Sequence, residues 1–421
     1  MTQRVPPRWT LVALLAVVAS LATSSLQAQP FNYGEALQKA IFFYEEQISG
    51  PKPAFSRVTW RGDSGMQDGA DVGRDLRGGW YDAGDHVKFG FAMASSATML
   101  AWGGVDYRSA FESKGQLVHL QNNLRWVNDY FIKAHSAPNE LWGQVGDGNS
   151  DHSFWGSAEV MHLKTTRNSF KIDMSCGGSD LAAETAAAMA ASSLVFRPTD
   201  PTYANTLVTH ARQLFSFAEA THPSFYVNCV PGAPFYDSRS GNPNDEMTWA
   251  AVWLFRATGE QAFMDRARAL YPTMCKENGT STPCFTWTQN WNDKHFGTYV
   301  LMSRLTGEQQ FRTDAERWLD YWSVGVGFQT RTTQPGGLMF MHNFGSLRYA
   351  TNTAFIALLY ADFLGTGSPL FARYHDFAKH QVDYVLGANP RNSSYMVGFG
   401  NNPPRNPHHR TAHGTWVNSV S

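Results

Sequence analysis

The chain lacks an excess of charge of either sign. Its 34 Lys and Arg residues are balanced by 35 Asp and Glu, a formal net charge of −1. That balance offers no basic footprint for nucleic acid or for an anionic membrane surface. Cysteine is scarce, with Cys176, Cys229, Cys275 and Cys284 the full set, and their spacing is not that of a zinc site. Beyond the first residues no segment is apolar enough to span a membrane. No Pro/Ser/Gly-rich linker divides the chain, and no run of alternating residues announces a sheet.

What is present begins with a leader. Arg4 and Arg8 precede the apolar stretch Thr10 to Ala22, which is too short for an ordinary span, and Leu26-Gln27-Ala28 fits a small-residue cleavage site. Residues 1–28 are therefore expected to be a secretory signal, and 29–421 one exported, soluble, extracellular domain, expected to act as a monomer. Export makes disulfides possible. Cys275 and Cys284 flank the short loop KENGTSTP and are the favoured pair, although four cysteines allow three connectivities.

Helical periodicity dominates the remainder. It predicts eleven helices: 33–48, 92–102, 117–132, 179–194, 203–218, 246–257, 260–270, 294–305, 308–322, 347–364 and 370–386. Between them lie long loops rich in Gly, Asn, Asp and aromatics, at 50–90, 136–178, 221–244, 274–292 and 324–346. Long loops recurring after every second helix suit a barrel of helix hairpins whose functional loops share one face.

The segment Gly78 to Phe91, GGWYDAGDHVKFGF, carries the densest chemistry. Asp82 and Asp85 stand three apart among glycines, with Trp80, Tyr81 and His86 beside them. Carboxylates can move protons and aromatic faces can hold a sugar ring; turn aspartates alone are ordinary turn residues. Together with WRGDS at 60–64, DGADVG at 68–73, VGDGNSDHSFWG at 145–156, SLRYATNTAF at 346–355 and NSSYMVGFGNNPPRNPHHRTAHG at 392–414, this segment closely resembles the glycoside hydrolase family 9 endoglucanases, the inverting cellulases. The resemblance runs from Phe31 to Trp416. It implies an all-α fold, an (α/α)6 barrel of twelve helices with an open cleft across the loop face. It implies hydrolysis of internal β-1,4 bonds in cellulose-like glucans.

Residue by residue, the resemblance makes Asp85 the base that activates a water and Asp82 the partner that holds it. His408 and Arg410 match the active-site H-x-R signature, although His408 and His409 by themselves also read as a metal pair or an exposed loop. His152 and Arg348 match sugar-contacting residues, against alternatives of a structural histidine and a surface ion pair. Trp155, Tyr236 and Trp287 are implied sugar platforms. Ser240, Gly241, Asp245, Glu246 and Asn292 fit a calcium site, for which the run SGNPNDE also reads as a turn opening an acidic helix.

The chain also departs from the family pattern. Arg239 and Phe344 stand where tryptophans are expected, Asn292 replaces an aspartate, and the loop at 242–244 is one residue longer. The family's general acid is a glutamate beyond the HHR run, followed by a last barrel helix, and no residue of this chain matches it. The expectations are thus a C-terminally incomplete catalytic domain, with the alternative of a non-catalytic glucan-binding protein.

Overall fold

The computed structural model describes residues 31–230, 234–240, 242–329 and 331–413. The leader expected at 1–28, and Gly241 and Trp416, lie outside them. Among these residues thirteen helices run in order: α1 Tyr33–Glu46, α2 Gly90–Asp106, α3 Arg108–Ser113, α4 Leu117–Ala134, α5 Gly148–His152, α6 Ser179–Phe196, α7 Pro201–Thr221, α8 Asn244–Thr258, α9 Gln261–Leu270, α10 His295–Thr306, α11 Gln309–Ser323, α12 Ser346–Leu364 and α13 Pro369–Leu386. The eleven of ten residues or more coincide with the eleven that periodicity predicts. The short α3 and α5 were not predicted.

The helices form two layers. An inner series runs α2, α6, α8, α10, α12, each packed on the next, with α4, α7, α9, α11 and α13 behind it. Composition explains the division. Every residue of α6 except Leu194 is buried, and its run of alanines lets α2, α7 and α8 approach closely. The outer α9 and α11 bury one stripe each, Met264, Ala267 and Leu270 on α9 and Phe311, Ala315, Trp318 and Trp322 on α11. At the centre Trp102 of α2 meets Trp249 and Trp253 of α8 edge-to-face at 5.4 and 5.7 Å, and reaches Phe355 of α12 at 5.6 Å. This is the α/α-barrel class expected from the sequence.

The loops are less structureless than the sequence suggests. Lys88–Phe89 (β1), Glu140–Val145 (β2) and Ser169–Asp173 (β3) form an antiparallel sheet in the order β1-β2-β3. Lys88 pairs with Val145 and Phe89 with Gln144. Almost all of β2 is buried on both faces, so it has no apolar–polar alternation to betray it.

Two disulfides tie the loops. Cys275–Cys284 closes the predicted short loop, and Cys176–Cys229 joins segments 53 residues apart. Because a cross-link restrains the unfolded chain more as its loop lengthens, replacing Cys176 and Cys229 by serine should cost about 4 kcal/mol, and replacing Cys275 and Cys284 about 2.5 kcal/mol. Urea denaturation of the two double variants checks this; equal or inverted costs would contradict it.

Candidate active site

The turn that bears the two aspartates is closed by its own backbone. Asp82 N–H donates to Val87 O at 2.9 Å and Asp85 N–H to Asp82 O at 3.2 Å, while Tyr81 N–H anchors the turn on Gln47 O at 2.8 Å. Gly79, at φ +74°, supplies the left-handed step into it; a Cβ there would also lie 2.9 Å from the Tyr130 ring. Gly84 serves a different purpose. A Cβ on Gly84 would lie 2.5 Å from His408 O, so the glycine lets the chain's own 407–410 segment settle on the turn. Arg410 completes that contact, with its backbone N–H and its Nη1 each donating to Gly84 O at 3.1 Å.

The sheet then delivers the partner of Asp85. β1 follows the turn directly, and its neighbour β2 runs into Asp147, whose Oδ1 caps α5 by accepting Ser150 N–H at 2.8 Å. His152 ends α5. Its Nε2 lies 2.9 Å from Asp85 Oδ2, and Asp85 Oδ1 accepts Val87 N–H at 2.8 Å. The Asp85 bond raises the His152 proton affinity above its ordinary value.

Asp82 has a contrasting environment. Tyr236 Oη donates to Asp82 Oδ2 at 2.6 Å, and Tyr236 is itself held by Tyr226 Oη on its carbonyl at 2.7 Å. Burial, and then the Asp85 charge, push the Asp82 carboxyl up to about 7, against the opposing hydrogen bond from Tyr236 and the Arg348 charge. Burial and a neighbouring carboxylate thus favour the proton on Asp82, an environment suited to a carboxyl at a proton-transfer site. Tyr236 is packed at 4.9 Å from the Phe89 ring and 5.0 Å from Trp291. The structure therefore gives it a hydrogen-bonding part, with its ring packed against protein aromatics.

The remaining expected residues fall around this centre. His408 is exposed, with its ring 4.8 Å from Trp155, and the Arg410 guanidinium lies 5.3 Å from the same indole. Trp155 is 44% exposed and Trp287 36%, so both keep a face open. Trp287 Nε1 donates to Asp293 Oδ2 at 3.1 Å, and its ring meets Tyr349 at 5.8 Å. Arg348, beside Tyr349, donates to the Tyr349 hydroxyl at 2.8 Å. His409 turns inward, away from His408: its Nε2 pairs with Gln47 Oε1 at 2.6 Å, and burial lowers it to about 4. The adjacent histidines therefore do not form a metal pair.

Sequence reasoning passed over three participants. Asp151 is buried beside Asp85 and accepts His86 N–H at 3.2 Å, with Arg410 Nη1 3.7 Å away. Burial, and then Asp85, push it up to about 6. Asp85, Asp151 and His152 bring donor atoms within 4.8 Å of one another, a set that could hold a metal ion, but the Arg410 guanidinium, 3.7 Å from Asp151, already supplies positive charge there. Phe235 packs against the His152 ring at 4.4 Å, and Gln47 donates to Tyr81 O and Ala83 O behind the turn. Asp151 was adjacent to a recognised histidine, the one signal available; Phe235 and Gln47 carried none.

Of the expected calcium ligands, Gly241 lies outside the described residues, as does the side chain of Ser240. Asp245 and Glu246 open α8 and are buried. Asp245 Oδ2 accepts Lys294 N–H at 2.7 Å. Glu246 Oε1 is buried with no hydrogen-bond partner, and burial and then the Asp245 charge push Glu246 well above the usual carboxylate range. Asn292 N–H donates to Asn290 Oδ1 at 3.0 Å. Two buried neighbouring carboxyls, one with an orphaned oxygen, suit a hard divalent cation.

The sequence profile of glycosyl hydrolase family 9 matches residues 33–421. The chain belongs to this family. It is 53% identical to Endoglucanase B of Cellulomonas fimi over 97% of its own length but only 39% of that protein's. It is 40% identical to Endoglucanase 13 of Arabidopsis thaliana, over 96% of this chain and 82% of the relative. The crystal structure of endoglucanase CelQ from Clostridium thermocellum complexed with cellotriose superposes with a TM-score of 0.84 at 42% identity, covering 92% of this chain and 61% of that one. The family 9 chain thus spans well under half of the Cellulomonas protein it matches.

The raised Asp82 carboxyl has a consequence for folding. A group whose folded value, about 7, exceeds its unfolded value, about 3.9, contributes stability that is complete below pH 4 and lost as pH rises to 7. Asp82→Asn should therefore gain on the unsubstituted protein as pH rises from 4 to 7, read as the difference in Tm. A difference constant across that window would contradict the environment described.

Proposed function

We propose that this chain carries the site of an exported endo-β-1,4-glucanase that acts on cellulose-like chains with inversion. The observation that carries the reading is the Asp82–Asp85 pair, with one carboxylate bridged to His152 and the other proton-rich beside Tyr236. A protein that only held sugar would have no use for such a pair. The endoglucanase names of the relatives and the cellotriose in the CelQ structure support the glucan. The leader at 1–28 and the two disulfides support export.

In this mechanism Asp85 Oδ2 takes a proton from a water poised on the face of the sugar opposite the leaving group, and Asp82 fixes that water. Trp155 and Trp287 offer apolar faces to pyranose rings. His408, Arg410 and Arg348 supply donors to hydroxyls. Inversion also needs a proton donor roughly 6.5–9.5 Å from the base. Asp82 and Asp151 are electrostatic neighbours of Asp85 and cluster with the base. Phe344, 80% exposed, offers a smaller face than the expected tryptophan, and the exposed Arg239, paired with Asp237 at 2.9 Å, offers none.

Calcium is the second part of the proposal. Asp245 and Glu246 would hold it, with Asn292 a neutral and therefore weaker ligand than an aspartate. The ion would meet the orphaned Glu246 oxygen and brace the start of α8.

The base can be tested apart from the acid, because fluoride leaves without being protonated. β-Cellobiosyl fluoride should be hydrolysed, and Asp85→Asn should lower fluoride release by about 10²–10⁴-fold. Cellotriose binding without fluoride release would leave a glucan-binding protein and contradict the reading. For the cation, a calcium chelator should lower Tm in the unsubstituted protein and leave Glu246→Gln unmoved; an equal effect on both would dismiss the site.

A further inference from the structure

A base that takes a proton at every turnover must also lose it, and Asp85 is poorly placed to do so alone. It is 7% exposed, its Oδ1 is occupied by Val87 N–H, and it lies beneath the Pro407–Arg410 segment that rests on the turn. Its surroundings give few exits. His86 and Asp151 are buried at 0% and 1% exposure, Arg410 carries no removable proton at working pH, and the half-buried Asp82 carboxyl is hydrogen-bonded to Tyr236 and not to the Asp85 side chain. Among the described residues, His152 is the one side chain that hydrogen-bonds Asp85 and also reaches solvent. Its Nε2 is 2.9 Å from Asp85 Oδ2, and 34% of its side chain is exposed.

We propose that His152 is the proton exit of the base, a role that rests on the hydrolytic reading and is distinct from contact with sugar. During attack the water oxygen bonds to the anomeric carbon, the bond from that carbon to the leaving group breaks, and the water proton moves to Asp85 Oδ2. Asp85, now a carboxylic acid, donates this proton to the Nε2 lone pair of a neutral His152 ring that carries its own proton on Nδ1. The imidazolium releases a proton from Nδ1 to solvent, and exchange with solvent restores the starting tautomer. One proton has travelled from the reacting water to bulk, and Asp85 is a carboxylate again. Three further features fit. Phe235, edge-on at 4.4 Å, and the capped α5 hold the ring in line with Asp85. The Asp85 bond raises the imidazole's proton affinity, with Asp151 adding to the rise and burial and Arg410 opposing it.

The test uses His152→Ala and the shape-conserving His152→Gln, with β-cellobiosyl fluoride for turnover and cellotriose for binding. Cellotriose affinity should stay within about 3-fold. Fluoride-release turnover should fall by about 10-fold or more in both variants. Added imidazole should restore part of it in the alanine variant, in proportion to the free base. Loss of cellotriose affinity matching the loss of turnover, with no rescue by imidazole, would make His152 a sugar contact and overturn the relay. Unchanged turnover would overturn it as well. Failure of the underlying reading looks different: the unsubstituted protein would bind cellotriose and release no fluoride, which removes the base and its exit together.

Discussion

Arg410 places two hydrogen bonds on one oxygen, the carbonyl of Gly84, and the site is organised around that contact. It locks a segment more than three hundred residues downstream onto the aspartate turn. The contact exists only because Gly84 has no side chain to hold the His408 carbonyl away. From it follow the directions of the neighbours: His409 is turned inward onto Gln47, which grips the turn from behind, and His408 is left outside against Trp155. The guanidinium also faces Asp151, so a single cation braces both acidic segments at the centre, the 82–85 turn and α5.

The electrostatics of the centre are those of differently treated neighbours. Asp82, Asp85 and Asp151 are close enough that all three cannot be ionised cheaply. The structure meets Asp85 with a backbone N–H and an imidazole, and leaves Asp82 and Asp151 in environments that favour their protons. Carboxyls held in such different surroundings suit proton transfer to and from water. Burying them costs folding energy, which the tryptophan-lined barrel beneath has to offset. This is the relation of scaffold to site: α6 and α8 are rigid because small and aromatic residues interlock, and the loops above them can hold groups that would not choose to be together.

Much of this was legible in the sequence, and the exceptions have physical reasons. The helices were legible because amphipathic stripes and an alanine-rich run leave a period that needs no partner to be seen. The aspartate turn, His152, Arg348 and the H-x-R run were found through long motifs resembling a family, and the structure gathers them about one turn. The sheet was not legible, since a strand buried on both faces has no alternation. Asp151, Phe235 and Gln47 were missed because their parts depend on tertiary contacts with the 82–87 turn or with His152. The inward rotation of His409 and the hydrogen bond from Tyr236 to Asp82 are likewise set by segments 362 and 154 residues away. The function of Gly84 was legible only as flexibility, when its use is the absence of a Cβ.

The central claim is that Asp85 delivers a water to the face of the sugar opposite the leaving group. The stereochemistry of the first product tests it most directly. In proton NMR of β-cellobiosyl fluoride hydrolysis, the α-anomer of cellobiose should accumulate first, and the β-anomer should appear later at the rate of mutarotation. Initial release of the β-anomer would mean a double displacement with Asp85 or another group as nucleophile, and would contradict the account.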